Sequence, residues 1–190
     1  MDPGRIPRHQ TDEGKNMLNA NENEVIQFGI VGLGTAGIAM LPSVTKNEHF
    51  RLAGVADLDE SVLHKVSQDF PGISVYTDAE ALMADTDIQA VFIATPTQHH
   101  TRHVLNAIEN GKHVVTEKPV ATSLKDADHM IEAAESSGVV FMVGHSFGYE
   151  APIKAMREIV ISGELGALQM IHNLYYTDWM YRPRNPEELD

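Results

Sequence analysis

A glycine-rich turn at residues 32–37 constrains the fold of this chain more than any other feature. It follows a G-x-G-x-x-G pattern made of Gly32, Leu33, Gly34, Thr35, Ala36 and Gly37. The apolar run before it, residues 25–31, predicts a buried strand, and residues 35–46 are predicted to form a helix. Glycines in this setting permit a tight turn, close approach of a diphosphate to the backbone, and close packing of helix on strand. The turn therefore predicts an α/β fold with an anion site where the first helix begins.

Strand-like and helix-like segments continue to alternate after this turn. Further strands are predicted over residues 51–57, 74–76, 88–95, 112–116 and 139–144, and further helices over 61–69, 99–110 and from the cap Ser123 to Gly138. Such alternation predicts a doubly wound parallel sheet of the Rossmann type. Right-handed crossovers bring the carboxyl ends of parallel strands to one edge, where ligands bind. The residues expected at that edge are Gly32, Asp57, Thr95, Thr116 and Gly144.

Asp57 ends the second predicted strand, 20 residues after Gly37. A carboxylate there accepts hydrogen bonds from ribose hydroxyls and repels a 2′-phosphate. The spacing predicts a dinucleotide cofactor, with NAD favoured over NADP. The alternative is that Asp57 only begins the next turn, together with Asp59 and Glu60.

Glu117, Lys118 and Pro119 follow another predicted buried strand. An amine close to a substrate hydroxyl lowers the pKa of that hydroxyl and stabilises the developing alkoxide. Glu117 could orient the amine, and Pro119 restricts the turn. His145 follows the last strand of this part and could transfer a proton, although a structural histidine is the alternative.

Three histidines near the start of one predicted helix raise the question of a metal site: His99, His100 and His103. A metal requires three or four convergent ligands, and no carboxylate lies at helical spacing from them. We therefore predict no metal.

Composition excludes several classes of partner. The formal net charge is −13, from 14 basic and 27 acidic residues, which argues against nucleic acid and anionic membranes as ligands. The absence of cysteine excludes disulfides and thiolate chemistry and fits a cytoplasmic location. No apolar run approaches the length of a membrane span. A small molecule is the expected substrate.

The chain is predicted to have three parts. Residues 1–24 lack apolar periodicity and are expected to form a mobile tail, and residues 25–145 form the dinucleotide-binding domain. Residues 146–190 are expected to begin an α+β open-sheet domain, with a helix over 151–162 and a one-sided strand over 168–176. Because a single strand cannot bury its own face, we expect a fragment of a longer protein, or a chain that packs on a partner.

At these residues the chain resembles the Gfo/Idh/MocA oxidoreductase family. The resemblance rests on G-L-G-T-A-G at 32–37, A-T-P-T-Q-H-H at 94–100, G-K-H-V-V-T-E-K-P at 111–119 and V-G-H at 143–145. It implies that Lys118 is the catalytic lysine and also contacts the cofactor, and that Glu117 lies beside the nicotinamide ribose. It further implies that the dinucleotide site is lined by Thr95, Pro96 and His100. The family's second domain carries substrate contacts and oligomer interfaces, which implies a homo-oligomer for the full-length protein, and a further Asp and His motif beyond Asp190.

Within the family, residues 141–150 and 181–190 are similar to phthalate 4,5-cis-dihydrodiol dehydrogenases and related benzoate dihydrodiol dehydrogenases. This implies an NAD-dependent dehydrogenase that converts an aromatic carboxylate cis-dihydrodiol to a catechol, with Lys118 and His145 at the substrate. Arg182 and Arg184 could pair with ring carboxylates, or could be two surface arginines. The alternatives are a sugar or inositol dehydrogenase of the same family, and a dinucleotide-binding module without catalysis.

Overall fold

The computed structural model of the protein describes residues 25–174. They fall into two compact units, and the division lies between His145 and Ser146. The first unit is a parallel sheet with helices on both faces, as the alternation of segments predicts.

The first unit contains six strands and five α-helices between residues 26 and 143. In chain order they are β1 (Ile26–Val31), α1 (Thr35–Thr45), β2 (Phe50–Ala56), α2 (Glu60–Asp69), β3 (Ser74–Tyr76), α3 (Ala79–Ala84), β4 (Ala90–Ile93), α4 (His100–Glu109), β5 (His113–Thr116), α5 (Leu124–Ser137) and β6 (Phe141–Val143). A turn of 3₁₀ helix, Thr97–His99, leads into α4.

All neighbouring strands are parallel, in the order β3-β2-β1-β4-β5-β6. The order reverses between β1 and β4, and crevices at such reversals are where open α/β sheets bind ligands. The predicted doubly wound Rossmann sheet is confirmed. The turns after β1 and β4 therefore lie at the crevice where a ligand is expected to bind.

The core consists of two apolar clusters that include strand residues and the helices on the two sides of the sheet. One cluster contains Leu41 and Val44 of α1 and Leu63 and Val66 of α2. The other contains buried residues of α3, α4 and α5, including Leu82, Met83, Val104, Ile108 and Met130. Alternating residues of a strand face opposite sides, so β1 contributes Ile30 to the first cluster and Val31 to the second. This packing holds the strand ends in fixed positions.

Local sequence signals predicted most element boundaries within a few residues. The Ser123 hydroxyl accepts a hydrogen bond from the Asp126 amide at 3.1 Å and caps α5, and Gly138 ends that helix with φ 70°. The short helix α3 was missed, although Asp78 caps it by accepting from the amides of Glu80 and Ala81. Its six residues are too few to show helical periodicity.

The second unit contains a 3₁₀ turn, Ser146–Tyr149, and α6 (Ala151–Ser162), which ends at Gly163 with φ 79°. The strand expected over 168–176 is absent from its described part, since residues 168–174 are exposed and have no regular structure. A strand requires a neighbour to pair with, and no described residue of this unit supplies one. The end of that predicted strand, residues 175–176, lies outside the described residues, as do Arg182 and Arg184.

Candidate functional site

The turn after β1 packs the start of α1 directly against the end of the strand. The Gly32 amide donates to the Ala56 carbonyl at 2.8 Å, and Gly32 adopts φ 90°, a conformation that favours glycine. A Cβ at Gly37 would lie 1.9 Å from the Gly32 carbonyl oxygen. The first and last glycines of the pattern are therefore required by the backbone itself.

The four amides at the start of α1 are unpaired among the described residues. Those of Gly34, Thr35, Ala36 and Gly37 donate to no acceptor there, and the first helical hydrogen bond is from Ile38 to the Gly34 carbonyl at 3.0 Å. A Cβ at Gly34 would meet no atom within 4 Å. Free amides, the positive end of a helix and open space at a glycine fit a diphosphate group.

Asp57 joins this turn to the end of β2. Its Oδ2 accepts from the Leu33 amide at 2.5 Å, and its Oδ1 accepts from the Asp59 amide at 2.9 Å. The side chain is half-buried, so both backbone contacts fix the carboxylate beside the glycine turn. Each oxygen has a second lone pair, which leaves capacity for a ribose hydroxyl.

Glu117 and Lys118 lie where β5 ends, next to β4. The Glu117 amide donates to the Ile93 carbonyl at 2.8 Å, and Glu117 Oε2 accepts from the main-chain amide of Lys118 at 3.0 Å. The Lys118–Pro119 peptide bond is cis, and the Lys118 side chain is exposed. We expected Glu117 to orient the Lys118 amine, but it instead holds the Lys118 backbone. Within residues 25–174 the amine has no ion-pair partner.

The end of β6 lies beside the end of β5. The Gly144 amide donates to the Thr116 carbonyl at 2.8 Å, and a Cβ at Gly144 would lie 3.5 Å from Glu117 Oε1. His145 follows directly and is exposed. The structure thus places Glu117, Lys118 and His145 on adjacent strand ends.

Two threonine hydroxyls at the strand ends are buried and have no partner among the described residues. One is Thr95 Oγ1, after β4, and the other is Thr116 Oγ1, the last residue of β5. Unpaired buried hydroxyls point to a missing hydrogen-bond partner. The sequence predicts Thr116 at this edge of the sheet but assigns it no binding role, although it ends an apolar strand directly before Glu117. Pro96 is exposed in the turn between Thr95 and the 3₁₀ helix.

His100 is fully buried, and both ring nitrogens face backbone carbonyls. Nε2 lies 2.8 Å from the Thr95 oxygen, and Nδ1 lies 3.0 Å from the Pro119 oxygen. The ring therefore has no free polar atom for a ligand in this structure, unlike the lining role that the resemblance implies.

The neighbouring histidines, His99 and His103, differ from His100 in their burial and in their contacts. His99 is exposed and its ring lies 6.1 Å from that of His103. Burial of His103 is the main cause that lowers its pKa, and the charge of Arg102 lowers it further. Its Nδ1 is buried and has no hydrogen-bond partner in the described chain. No group of three or more potential metal-ligating side chains occurs among residues 25–174. In the same residues, no helix has the length and apolar character needed to cross a membrane.

Comparison with known proteins identifies the family to which this chain belongs. Residues 26–145 match the family described as "Oxidoreductase family, NAD-binding Rossmann fold". Over 165 residues, 87% of this chain, the sequence is 39% identical to a 1-carboxy-3-chloro-3,4-dihydroxycyclohexa-1,5-diene dehydrogenase from Comamonas testosteroni, of which it covers 42%.

Solved structures agree with this match. A Bordetella bronchiseptica RB50 protein superposes with a TM-score of 0.80 at 39% identity, over 87% of this chain and 44% of that one. The scyllo-inositol dehydrogenase of Lactobacillus casei, solved with NAD(H) and scyllo-inositol, gives a TM-score of 0.72 at 26% identity, over 75% of this chain and 43% of that one. The chain spans less than half the length of these relatives.

The family match covers the glycine turn, Asp57, the Glu117–Lys118–Pro119 segment and His145, the residues that meet at the carboxyl edge of the sheet. Free helix-terminal amides at that edge fit the diphosphate of the dinucleotide that the family binds. The chain therefore belongs to the Gfo/Idh/MocA family of oxidoreductases, and residues 26–145 form its NAD-binding Rossmann fold.

Proposed function

We propose that the protein is an NAD-dependent dehydrogenase that oxidises a ring cis-dihydrodiol bearing a carboxylate, to give a catechol. The observation that carries the proposal is the 39% identity, over 87% of the chain, to a dehydrogenase named for a carboxylated dihydroxycyclohexadiene. The residues at the sheet edge supply groups suited to this chemistry. Residues 1–24 would be a tail and 146–190 would begin the substrate and oligomer domain of a cytoplasmic homo-oligomer.

Residues of the first unit would hold the coenzyme at three places. The unpaired amides of residues 34–37 would bind its diphosphate, and Asp57 would bind a ribose. Leu33 would contribute backbone to that turn. Glu117, Thr95 and Pro96 would border the nicotinamide end, and the unpaired hydroxyl of Thr95 is a donor available there.

Lys118 and His145 would act on the substrate hydroxyl. The bound coenzyme supplies the hydride acceptor. The Lys118 ammonium would stabilise negative charge that develops on the oxygen as the hydroxyl proton departs. The imidazole of His145, on the adjacent strand end, would accept that proton and pass it to solvent. Arg182 and Arg184 would pair with the ring carboxylate.

A lysine variant tests this assignment. In the full-length enzyme, Lys118→Met should lower kcat by about a hundredfold or more, because the charge that stabilises the alkoxide is lost. Lys65→Met, which alters an exposed lysine of α2, is the matched control and should retain kcat. Initial rates are followed by NADH fluorescence, and calorimetry checks that both variants bind coenzyme. A Lys118→Met enzyme with the control's kcat would remove Lys118 from the mechanism.

Asp57 supports NAD as the coenzyme, because its fixed carboxylate would repel a 2′-phosphate. Asp57→Asn keeps an acceptor oxygen and removes the charge. We expect the ratio of NAD to NADP affinities, measured by titration, to fall in this variant. If the unsubstituted protein already binds NADP more tightly, the proposed role of Asp57 is wrong.

A second candidate substrate is an inositol or sugar. It is favoured by the fold match to a scyllo-inositol dehydrogenase at a TM-score of 0.72, although identity there is 26%. A panel of carboxylated cis-dihydrodiols and polyols, assayed with NAD, separates the two. Oxidation of polyols alone would overturn the dihydrodiol proposal. Coenzyme binding with no turnover of either class would favour a binding module without catalysis.

A further inference from the structure

We propose that His100 is a positioning residue that ties the turn after β4 to the turn after β5 and thereby sets the location of Lys118. The inference rests on the proposed function of Lys118. His100 itself touches neither coenzyme nor substrate in this scheme, since both of its ring nitrogens are engaged by the protein backbone.

The two contacts of the ring join segments that are far apart in sequence. Nε2 reaches the carbonyl of Thr95, five residues earlier, at 2.8 Å, whereas Nδ1 reaches the carbonyl of Pro119, 19 residues later, at 3.0 Å. The side chain has no exposed surface, so the surrounding core prevents the ring from turning away.

Both acceptors are carbonyl oxygens, which have no proton to donate. Each contact is therefore a hydrogen bond only if the ring nitrogen carries the proton. A neutral imidazole has one N–H and the imidazolium has two. The bond to Pro119 requires a proton on Nδ1, and we assign a proton to that nitrogen.

Lys118 lies between two backbone anchors. On one side the Glu117 amide donates to the Ile93 carbonyl of β4 at 2.8 Å. On the other side the Pro119 carbonyl is held by His100 at the start of α4. The main chain of Lys118 is thus held from both directions, and its amide also donates to Glu117 Oε2. His100 is the side chain that holds it from the side of α4. Small displacements of a catalytic group lower the rate by large factors.

Two amide substitutions separate the two contacts. An asparagine amide reaches the position of Nδ1 and can keep the bond to Pro119, while a glutamine amide reaches the position of Nε2 and can keep the bond to Thr95. In the full-length enzyme we expect His100→Gln and His100→Leu to lower kcat by about tenfold to a hundredfold, and His100→Asn to recover most of that loss. The KM for the diol should change little.

The matched control is His99→Asn, at the exposed histidine next to His100, which should keep the unsubstituted kcat. Urea unfolding of each variant is compared alongside. Equal kcat losses in His100→Asn and His100→Gln would show that the residue only supports the core, and would overturn the positioning role. If His100→Leu does not fold, the comparison of His100→Asn with His100→Gln still tests the positioning role.

A second readout does not depend on activity. In the ligand-free protein labelled with ¹⁵N-histidine, the His100 ring signals are identified by their loss in His100→Asn. We expect Nδ1 to carry a proton that exchanges slowly with water, because it donates to the buried Pro119 carbonyl. An Nδ1 without a proton would overturn the positioning role of His100, whatever the result for Lys118. An unaffected Lys118→Met rate together with a slowly exchanging Nδ1 proton would instead overturn the proposed function and leave the bond between His100 and Pro119 standing.

Discussion

At the scale of single residues, two glycines of the same turn are constrained for different reasons. A Cβ at Gly37 would lie 1.9 Å from the Gly32 oxygen, whereas a Cβ at Gly34 would meet nothing within 4 Å. The fold of the protein alone therefore requires a glycine at position 37. The open space at Gly34 is where the diphosphate is proposed to lie, so a bound diphosphate would require Gly34.

Alanine substitutions distinguish these two requirements. Gly37→Ala should destabilise the fold by about 1–3 kcal/mol, because the backbone of the turn must move. Gly34→Ala should leave the free energy of unfolding nearly unchanged and weaken coenzyme binding, because its Cβ occupies the space for the diphosphate. Urea unfolding and coenzyme titration measure the two effects. Equal stability loss in both variants, or undiminished coenzyme affinity in Gly34→Ala, would contradict this account.

At the scale of elements, α4 carries one histidine whose titration should affect stability. Burial lowers the pKa of His103 below its usual 6.5 in the folded protein. Between pH 6.5 and the lower pKa of the folded protein, the unfolded chain binds a proton at His103 that the folded chain does not. The free energy of unfolding therefore decreases as the pH falls from 6.5 towards the folded pKa. Above 6.5 the contribution is fully present.

We expect His103→Leu to make stability less dependent on pH in this range, because the residue that takes up the proton is gone. Urea unfolding is measured above and below pH 6.5. His64→Leu, at an exposed histidine of α2, is the control and should retain the original slope. An unchanged slope in His103→Leu would assign the acid sensitivity to other groups.

At the scale of the whole molecule, the first unit has its own core and carries the groups proposed to hold the coenzyme. Both apolar clusters consist of residues before His145. A chain cut after His145 should therefore bind NAD as tightly as the 190-residue chain, as measured by calorimetry. Much weaker binding by the shorter chain would mean that residues from Ser146 onward complete the coenzyme site.

Much of the fold is predictable from local sequence. The glycine turn, the capping pair of Ser123 and Asp126, and the glycines that end α5 and α6 depend on residues within a few positions of each other. Helix α3 escaped prediction because six residues show no clear period, and the expected strand after residue 167 has no partner among the described residues.

Apolar periodicity and turn residues act over short distances along the chain, so they are sufficient to predict the class of fold and the residues at the carboxyl edge of the sheet. How those residues meet depends on the tertiary structure. It placed β1 beside β4, directed Glu117 to the Lys118 backbone and enclosed His100 between the carbonyls of Thr95 and Pro119. These contacts join the ends of separate strands, so they depend on how the strands and helices pack.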